Sequence, residues 1–243
     1  MIMNPVQVSI RMASSFPADE TVAQYTHKVQ NGFFSHEAEA VSSFGDPPGR
    51  ILDLGCGAGR TTKQLLDRGF DVVGLDISSQ MITAATELLP DSCMVVGSAT
   101  DLPFSDCSFD HALFSFNGLD YITDEDNRLA ALAEIHRVLK PDGRFVFSSH
   151  NSRYIVGSNP LNPLEYARVL LFWIVNICGN RGRSRYKLDI MPEGLIETYF
   201  ITPEEQSRQL NVAGFDHLAT LTQFDLECAL PVDPWPYYVA EKR

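Results

Sequence analysis

The chain is short of positive charge. Against 31 aspartates and glutamates stand 19 lysines and arginines, giving a formal net charge of −12 at pH 7 and a sequence pI near 4.8. Such a negative sheath repels phosphate backbones, so nucleic acid is not expected as a partner. Cysteine is sparse as well. Cys56, Cys93, Cys107, Cys178 and Cys228 are an odd number, scattered, with no C-x-x-C pair. That argues against a disulfide framework and for reduced thiols in a reducing compartment; no metal is expected. Long apolar runs are missing. The strongest, VLLFWIVNIC at 169–178, is interrupted by Asn176 and falls far short of the ~20 residues of a bilayer-spanning helix. No stable membrane insertion is therefore expected. The opening MIMNPVQVSIRMASS has no basic stretch followed by an apolar one, so it reads as a frayed tail and not as a secretory leader. The expected location is cytoplasmic.

What is present suits an α/β domain. A chain of 243 residues, 44% of them hydrophobic, has enough apolar material for one large core or a core with a modest insertion. Residues 19–43 carry apolar positions at helical spacing, with Asp19 to cap them, and Gly45-Asp46-Pro47-Pro48-Gly49 breaks the chain. Strands are predicted at 51–54, 71–76, 93–97, 109–116 and 144–149, with helices at 59–68, 78–89 and 125–139 between them. This alternation implies a Rossmann-like, doubly wound, mostly parallel sheet that binds its ligand at the carboxyl ends of the strands. Residues 151–200 are too long for an ordinary connection. They hold an apolar helix at 164–178, the basic segment RGRSRYK at 181–187, and strands near 186–190 and 195–201. Thr202 caps a further helix that Gly214 ends, and strands follow near 217–226 and 237–242.

The segment ILDLGCGAGR at 51–60 places three glycines at alternate positions directly after a strand. A dinucleotide loop would need G-x-G-x-x-G, but the third position holds Arg60. This argues against a nicotinamide cofactor, and without a following Gly-Lys-Ser/Thr it is not a P-loop. Asp76 ends the next strand about twenty residues after the glycines, where a carboxylate can accept both hydroxyls of a ribose.

Four stretches in order, ILDLGCGAGR, VVGLDIS, GSATDLPFSDCSFD and EIHRVLKPDGRF, resemble the class I S-adenosylmethionine-dependent methyltransferases, in the branch typified by quinone-biosynthesis enzymes. The resemblance covers residues 48–150 strongly and 200–243 weakly. It implies a seven-stranded sheet with an N-terminal helical cap over 1–45, a cofactor-binding core over 46–150, a substrate-lid insertion over 151–200 after strand five, and completion of the sheet by 201–243. The implied cofactor is S-adenosyl-L-methionine, leaving S-adenosyl-L-homocysteine. Gly55, Cys56, Gly57 and Gly59 would form the loop along its methionyl part, with Asp53 orienting the loop and its amino group. Asp76 would hold the ribose, Ile77 would pack on the adenine, and Ser98 and Ala99 would meet the adenine edge. Phe114, Ser115, Phe116 and Asn117 would line the methionyl side, and Tyr25 would close the pocket. The family often has Asp where this chain has Ser98, so the adenine contact is weaker here.

The implied chemistry is in-line methyl transfer to O, N, C or S of a small organic acceptor. His150, after strand five at the binding edge, is the candidate base. Asn151 and Tyr154 are expected to line the same space, with His36 reaching it from the N-terminal helix. Phe172 and Trp173 in the insertion suit an aromatic or hydrophobic acceptor; the same stretch also suits core or a homodimer surface. The loop SFNG after strand four lacks the elements that grip a flipped base, which again disfavours nucleic acid. Two rivals stand beside this reading: the same cofactor serving another reaction, and a non-catalytic module whose cofactor occupancy regulates a partner.

Overall fold

The computed structural model describes residues 18–153, 163–191, 194–222 and 233–243. Two helices lead in, α1 (Ala18–Lys28) and α2 (Ser35–Ser42). The alternating region follows as β1 (Arg50–Leu54), α3 (Arg60–Asp67), β2 (Asp71–Asp76), α4 (Ser79–Leu88), β3 (Cys93–Val96), β4 (Phe109–Phe114), α5 (Glu125–Val138) and β5 (Leu139–Ser148). Then come β6 (His150–Asn151), α6 (Pro163–Cys178), β7 (Tyr186–Met191), β8 (Gly194–Ile201), α7 (Pro203–Val212), β9 (Phe215–Leu221) and β10 (Tyr237–Lys242).

Seven strands form one sheet in the order β3-β2-β1-β4-β5-β10-β9. The first five are parallel, and β10 runs antiparallel to both β5 and β9. Neighbouring residues of one strand point to opposite faces, and here both faces are buried. Leu52, Val73, Ala112 and Phe145 enter the cluster that takes Ala131, Leu132 and Ile135 of α5. Ile51, Val72, Leu113 and Val146 enter the cluster that takes Ala40 and Val41 of α2 and Leu65 of α3. The near-continuous apolar runs of the central strands follow from this double coverage. The insertion forms a second sheet, order β6-β8-β7. Asn176 in α6 fastens the helix to β7, its amide donating to the Leu188 carbonyl (2.9 Å) and its oxygen accepting the Leu188 N–H (2.8 Å).

Four boundaries differ from the sequence reading by more than one residue; one is strand four, which ends at Phe114 and not at 116 because Phe116 and Asn117 turn left-handed. The single helix expected over 19–43 is two, because a 3₁₀ turn (Val29–Asn31) and Gly32 at φ 71° interrupt it. Glu37 then starts α2 by accepting the Phe34 N–H (3.0 Å). Strand five starts at Leu139 and not at Arg144; Pro141 to Gly143 are carried inside β5, with Asp142 at φ 60° and a register shift against β4. The strand expected over 217–226 is β9, and residues 223–226 lie outside the described residues. Two of the predicted caps are in place: Ser78 Oγ accepts the Met81 N–H (3.3 Å), and Thr202 Oγ1 accepts the Glu205 N–H (3.3 Å), whereas Asp19 is not a cap but lies inside α1, which already includes Ala18. Among the described residues no helix is long and apolar enough to cross a membrane.

Candidate active site

A cavity of about 170 Å³ opens at the carboxyl ends of β1, β2 and β4, where a parallel sheet offers its ligand crevice. One wall is the glycine loop. Asp76, at the end of β2, accepts the Gly57 N–H at Oδ2 (3.0 Å) and the Ser78 N–H at Oδ1 (2.8 Å), so it fastens the loop to the next helix start. Burial raises its carboxyl above the ordinary carboxylate range, against these backbone donors. Gly57 sits at φ +54°, and a side-chain carbon built on it would enter the cleft, 3.7 Å from the Tyr25 ring. Gly59 is bare for a different reason. At φ +93° it begins α3, and an added carbon would stand 2.9 Å from Leu89.

Asp53 lies beneath this loop, fully buried. Its Oδ2 accepts from the hydroxyls of Thr61 (2.7 Å) and Thr62 (2.6 Å), bracing the first turn of α3. Its Oδ1 has no partner among the described residues. Burial pushes its pKa up to about 6, opposed by the two threonine hydroxyls and Arg60.

Of the residues singled out in the sequence, Tyr25, Gly55, Gly57, Asp76, Ile77, Ser98, Ala99, Phe114, Ser115 and Phe116 line the cleft. Asp53, Cys56, Gly59 and Asn117 stand behind it. Cys56 is a buried thiol whose N–H donates to the Leu75 carbonyl (3.1 Å), so it belongs to the loop's anchoring. Asn117 donates its N–H to Ser148 Oγ (2.8 Å), and its buried Oδ1 has no partner among the described residues. The Ser98 hydroxyl is engaged with Thr100 Oγ1 (2.8 Å) and also accepts the Thr100 N–H (3.2 Å). Phe116 and Asn117 are both left-handed, at φ 55° and 58°, which turns the chain sharply after β4 and sets the Phe116 ring 6.3 Å from Tyr25.

Two buried polar networks were not foreseen from sequence. In the first, Glu37 of α2, fully buried, takes a two-pronged ion pair from Arg60 (2.7 and 2.8 Å) and a short hydrogen bond from Ser115 Oγ, which also meets the Tyr237 hydroxyl (2.7 Å). Arg60, standing where a third glycine would, was the one visible signal. In the second, Asp120 of the 3₁₀ turn Gly118–Tyr121 is fully buried and accepts four hydrogen bonds. They come from Arg128 Nη1 (2.7 Å), Ser149 Oγ (2.9 Å), the His150 N–H (2.5 Å) and His150 Nδ1 (2.9 Å). Nothing local in the sequence marks Asp120.

Outside the cleft lining, the His150 ring lies 5.2 Å from Phe200 and 6.0 Å from Tyr121, a cleft residue. Phe200 meets Phe172 of α6 at 5.6 Å, and Phe172 meets Trp173 at 5.6 Å. His150, Phe172 and Trp173 are thus joined by one aromatic chain. Asn151 is held by its own turn, its amide donating to the Asp233 carbonyl (3.2 Å) and its oxygen accepting the Arg153 N–H (3.0 Å). Tyr154 lies outside the described residues. His36 packs edge-on against Tyr237 at 5.3 Å, with Nδ1 buried and unpartnered among the described residues, on the side of the Glu37 network. The basic segment is largely consumed within the fold. Arg181 pairs with Glu197, Arg185 with Glu125 and Glu205, and Lys187 donates to three backbone carbonyls.

These features fit S-adenosyl-L-methionine. A half-buried carboxylate bonded to backbone donors, Asp76, stands at the end of β2, an open glycine edge lies beside it, and Asp53 Oδ1, without a partner among the described residues, lies beneath that loop. Residues 52–147 match the protein family described as Methyltransferase domain. The demethylmenaquinone methyltransferase of Beutenbergia cavernae is 39% identical over 113 residues, covering 46% of this chain and 45% of that protein. That of Renibacterium salmoninarum is 41% identical over 107 residues, 44% of each. The chain thus spans less than half the length of these curated relatives. Among solved structures, a methyltransferase of Methanosarcina mazei that depends on the same cofactor superposes with a TM-score of 0.67 at 21% identity, over 87% of this chain and 98% of that one. The 1,6-didemethyltoxoflavin-N1-methyltransferase of Burkholderia thailandensis, solved with 1,6-didemethyltoxoflavin and S-adenosylhomocysteine, does so with 0.64 at 20% identity, over 100% of this chain and 92% of that one.

Proposed function

We propose, for a chain whose core at 52–147 is a methyltransferase domain of the class I, S-adenosylmethionine-dependent fold, that the whole protein transfers a methyl group to a small organic acceptor of aromatic or hydrophobic character. The observation that carries this is the pairing in one cleft of the Asp76 carboxylate and the bare Gly55–Gly57 edge with Tyr121, whose ring packs against His150. Bound there, S-adenosyl-L-methionine supplies a methyl group on a sulfonium, electrophilic without further activation.

Asp76 would hold the ribose hydroxyls, Ile77 and Ala99 would pack on the adenine, and Gly55 and Gly57 would let the main chain follow the methionyl part. Ser115 and Phe116 would close the methyl end, with Tyr25 over it. The helix and strands of 163–201, carrying Phe172 and Phe200, would roof the acceptor and exclude water. Positioning of the two reactants alone supplies roughly 7–11 kcal/mol of such a reaction's barrier lowering. By name the relatives act on demethylmenaquinone, and the Burkholderia enzyme on 1,6-didemethyltoxoflavin; the aromatic chain from His150 to Trp173 supports an acceptor of comparable kind here.

Calorimetry with S-adenosylmethionine and S-adenosylhomocysteine, followed by transfer of labelled methyl to a panel of phenols, amines, thiols and metabolite extracts, tests the proposal. Heat with both cofactors and label in at least one acceptor is expected. No heat with either, alongside binding of a nicotinamide nucleotide, refutes it.

A further inference from the structure

Building on the function proposed above, we infer that Asp120 is a positioning residue that fixes His150 as a base through Nε2, and that the acceptor is therefore an aromatic O–H or N–H compound that must lose a proton as it is methylated. Asp120 Oδ1 takes the Arg128 guanidinium and the Ser149 hydroxyl, while Oδ2 takes the His150 N–H and faces His150 Nδ1 at 2.9 Å. A carboxylate paired with arginine only accepts, so the hydrogen on the Asp120–His150 bond belongs to Nδ1. In the neutral ring this leaves Nε2 as the bare, basic nitrogen. Among the described residues the His150 ring makes its hydrogen bond through Nδ1.

The support beneath the dyad is rigid. Arg128 is fully buried, donates to the Leu119 carbonyl (2.8 Å), Gln206 (2.9 Å) and Gln209 (3.0 Å), and lies 4.2 Å over the Tyr199 ring. One guanidinium thus neutralises the buried carboxylate and ties the 3₁₀ turn, α5 and α7 together. Among the described residues, the chargeable groups around His150 are Asp120 and Tyr121 from the turn and, behind Asp120, Arg128 from α5. Phe200 of β8 brings no charge, and the 233–236 stretch brings Asp233, which lies against Asn151.

In the step itself the acceptor's X–H bond breaks and its proton goes to Nε2, giving an imidazolium held by Asp120. The X–C bond forms as the sulfonium C–S bond breaks, and S-adenosylhomocysteine leaves with the electron pair. A thiol already ionised at neutral pH would gain little from the dyad, whereas a phenol would gain the roughly 10²–10⁴-fold of general base catalysis.

The test uses the full chain with S-adenosylhomocysteine bound and histidine labelled with ¹⁵N, His150 being assigned by its loss in His150→Gln. The long-range ¹H–¹⁵N spectrum is expected to show the Nδ1–H form of His150 in the wild type, and a mixed or Nε2–H form in Asp120→Asn. In parallel, 2-naphthol and 2-naphthalenethiol serve as acceptors of matched shape. In both variants the naphthol-to-naphthalenethiol rate ratio should fall about 10²-fold, with a naphthol pH profile that loses its lower limb. An Nε2–H tautomer in the wild type, an unchanged ratio, or transfer to neither acceptor with cofactor bound overturns the inference. Failure of the protein to bind S-adenosylhomocysteine at all overturns the proposed function instead, and the wild-type tautomer is read without Asp120→Asn.

Discussion

Replacing Asp53 by Asn while varying pH isolates the charge at the root of the glycine loop. Burial moves this carboxyl from an ordinary value of 3.8 up to about 6, despite the threonine hydroxyls and Arg60 that pull it down. In the unfolded chain it ionises near the ordinary value. Between about pH 4 and 6, therefore, the folded state keeps a proton that the unfolded state has released, and stability falls as pH rises through that window. Below it the penalty vanishes, and above it the penalty is complete at about 3 kcal/mol. Asn keeps the volume and removes the titration. Urea unfolding of wild type and D53N from pH 4 to 7 should give a stability difference that moves by about 2–3 kcal/mol in favour of D53N. A constant offset from the re-aimed bonds of Thr61 and Thr62 does not affect that slope. Taking the difference cancels groups such as Glu134, which Arg137 holds below its ordinary value. S-adenosylmethionine, cationic at its sulfur and amino group, should shrink the pH-dependent part. A difference that stays flat across pH 4–7 would show that Asp53 is not the strained acid described here.

Other outcomes follow from the same geometry. D76N should weaken S-adenosylmethionine binding at least tenfold by calorimetry, since charge-assisted bonds of about 1.5–3 kcal/mol are at stake; unchanged affinity would contradict the ribose assignment. G57A should cost about 1–2 kcal/mol of stability for its left-handed backbone and weaken cofactor binding further, because the added methyl enters the cleft; equal binding would place the cofactor elsewhere. R60M should destabilise the fold by about 3–5 kcal/mol in urea, leaving the buried Glu37 carboxylate without its cation; a smaller loss than the exposed Arg153–Glu204 pair gives when broken would refute a structural role for the pair.

Much of the core was legible because its determinants are local. Alternating apolar runs, Ser78 and Thr202 as caps, and Gly57 and Gly59 at left-handed positions each act within a few residues, and a sequence displays them directly. The cleft was readable for a related reason: Asp76, Ile77, Ser98 and Ala99 directly follow strand ends, so topology alone delivers them to one edge. The buried networks were not readable, because Glu37 meets Ser115 and Tyr237, and Asp120 meets Arg128 and Ser149, only after distant segments have packed. Arg128 in particular looks like an ordinary surface residue of an amphipathic helix until α7 covers it with Gln206 and Gln209. The split of the first helix was missed because Gly32 reads as a tolerated helical glycine unless the start of α2 at Phe34 is seen.

The position of β10 between β5 and β9 has a consequence for biosynthesis. When a ribosome has delivered the chain through residue 148, the parallel half of the sheet can assemble, but the Phe145–Phe147 stretch of β5 still offers an open row of backbone donors and acceptors to any other strand it meets. That row is covered only once residues 237–242 have been made, after the whole insertion and the β9 segment have emerged. A nascent chain stalled anywhere in between should be a sticky one, relying on chaperones until its sheet is closed.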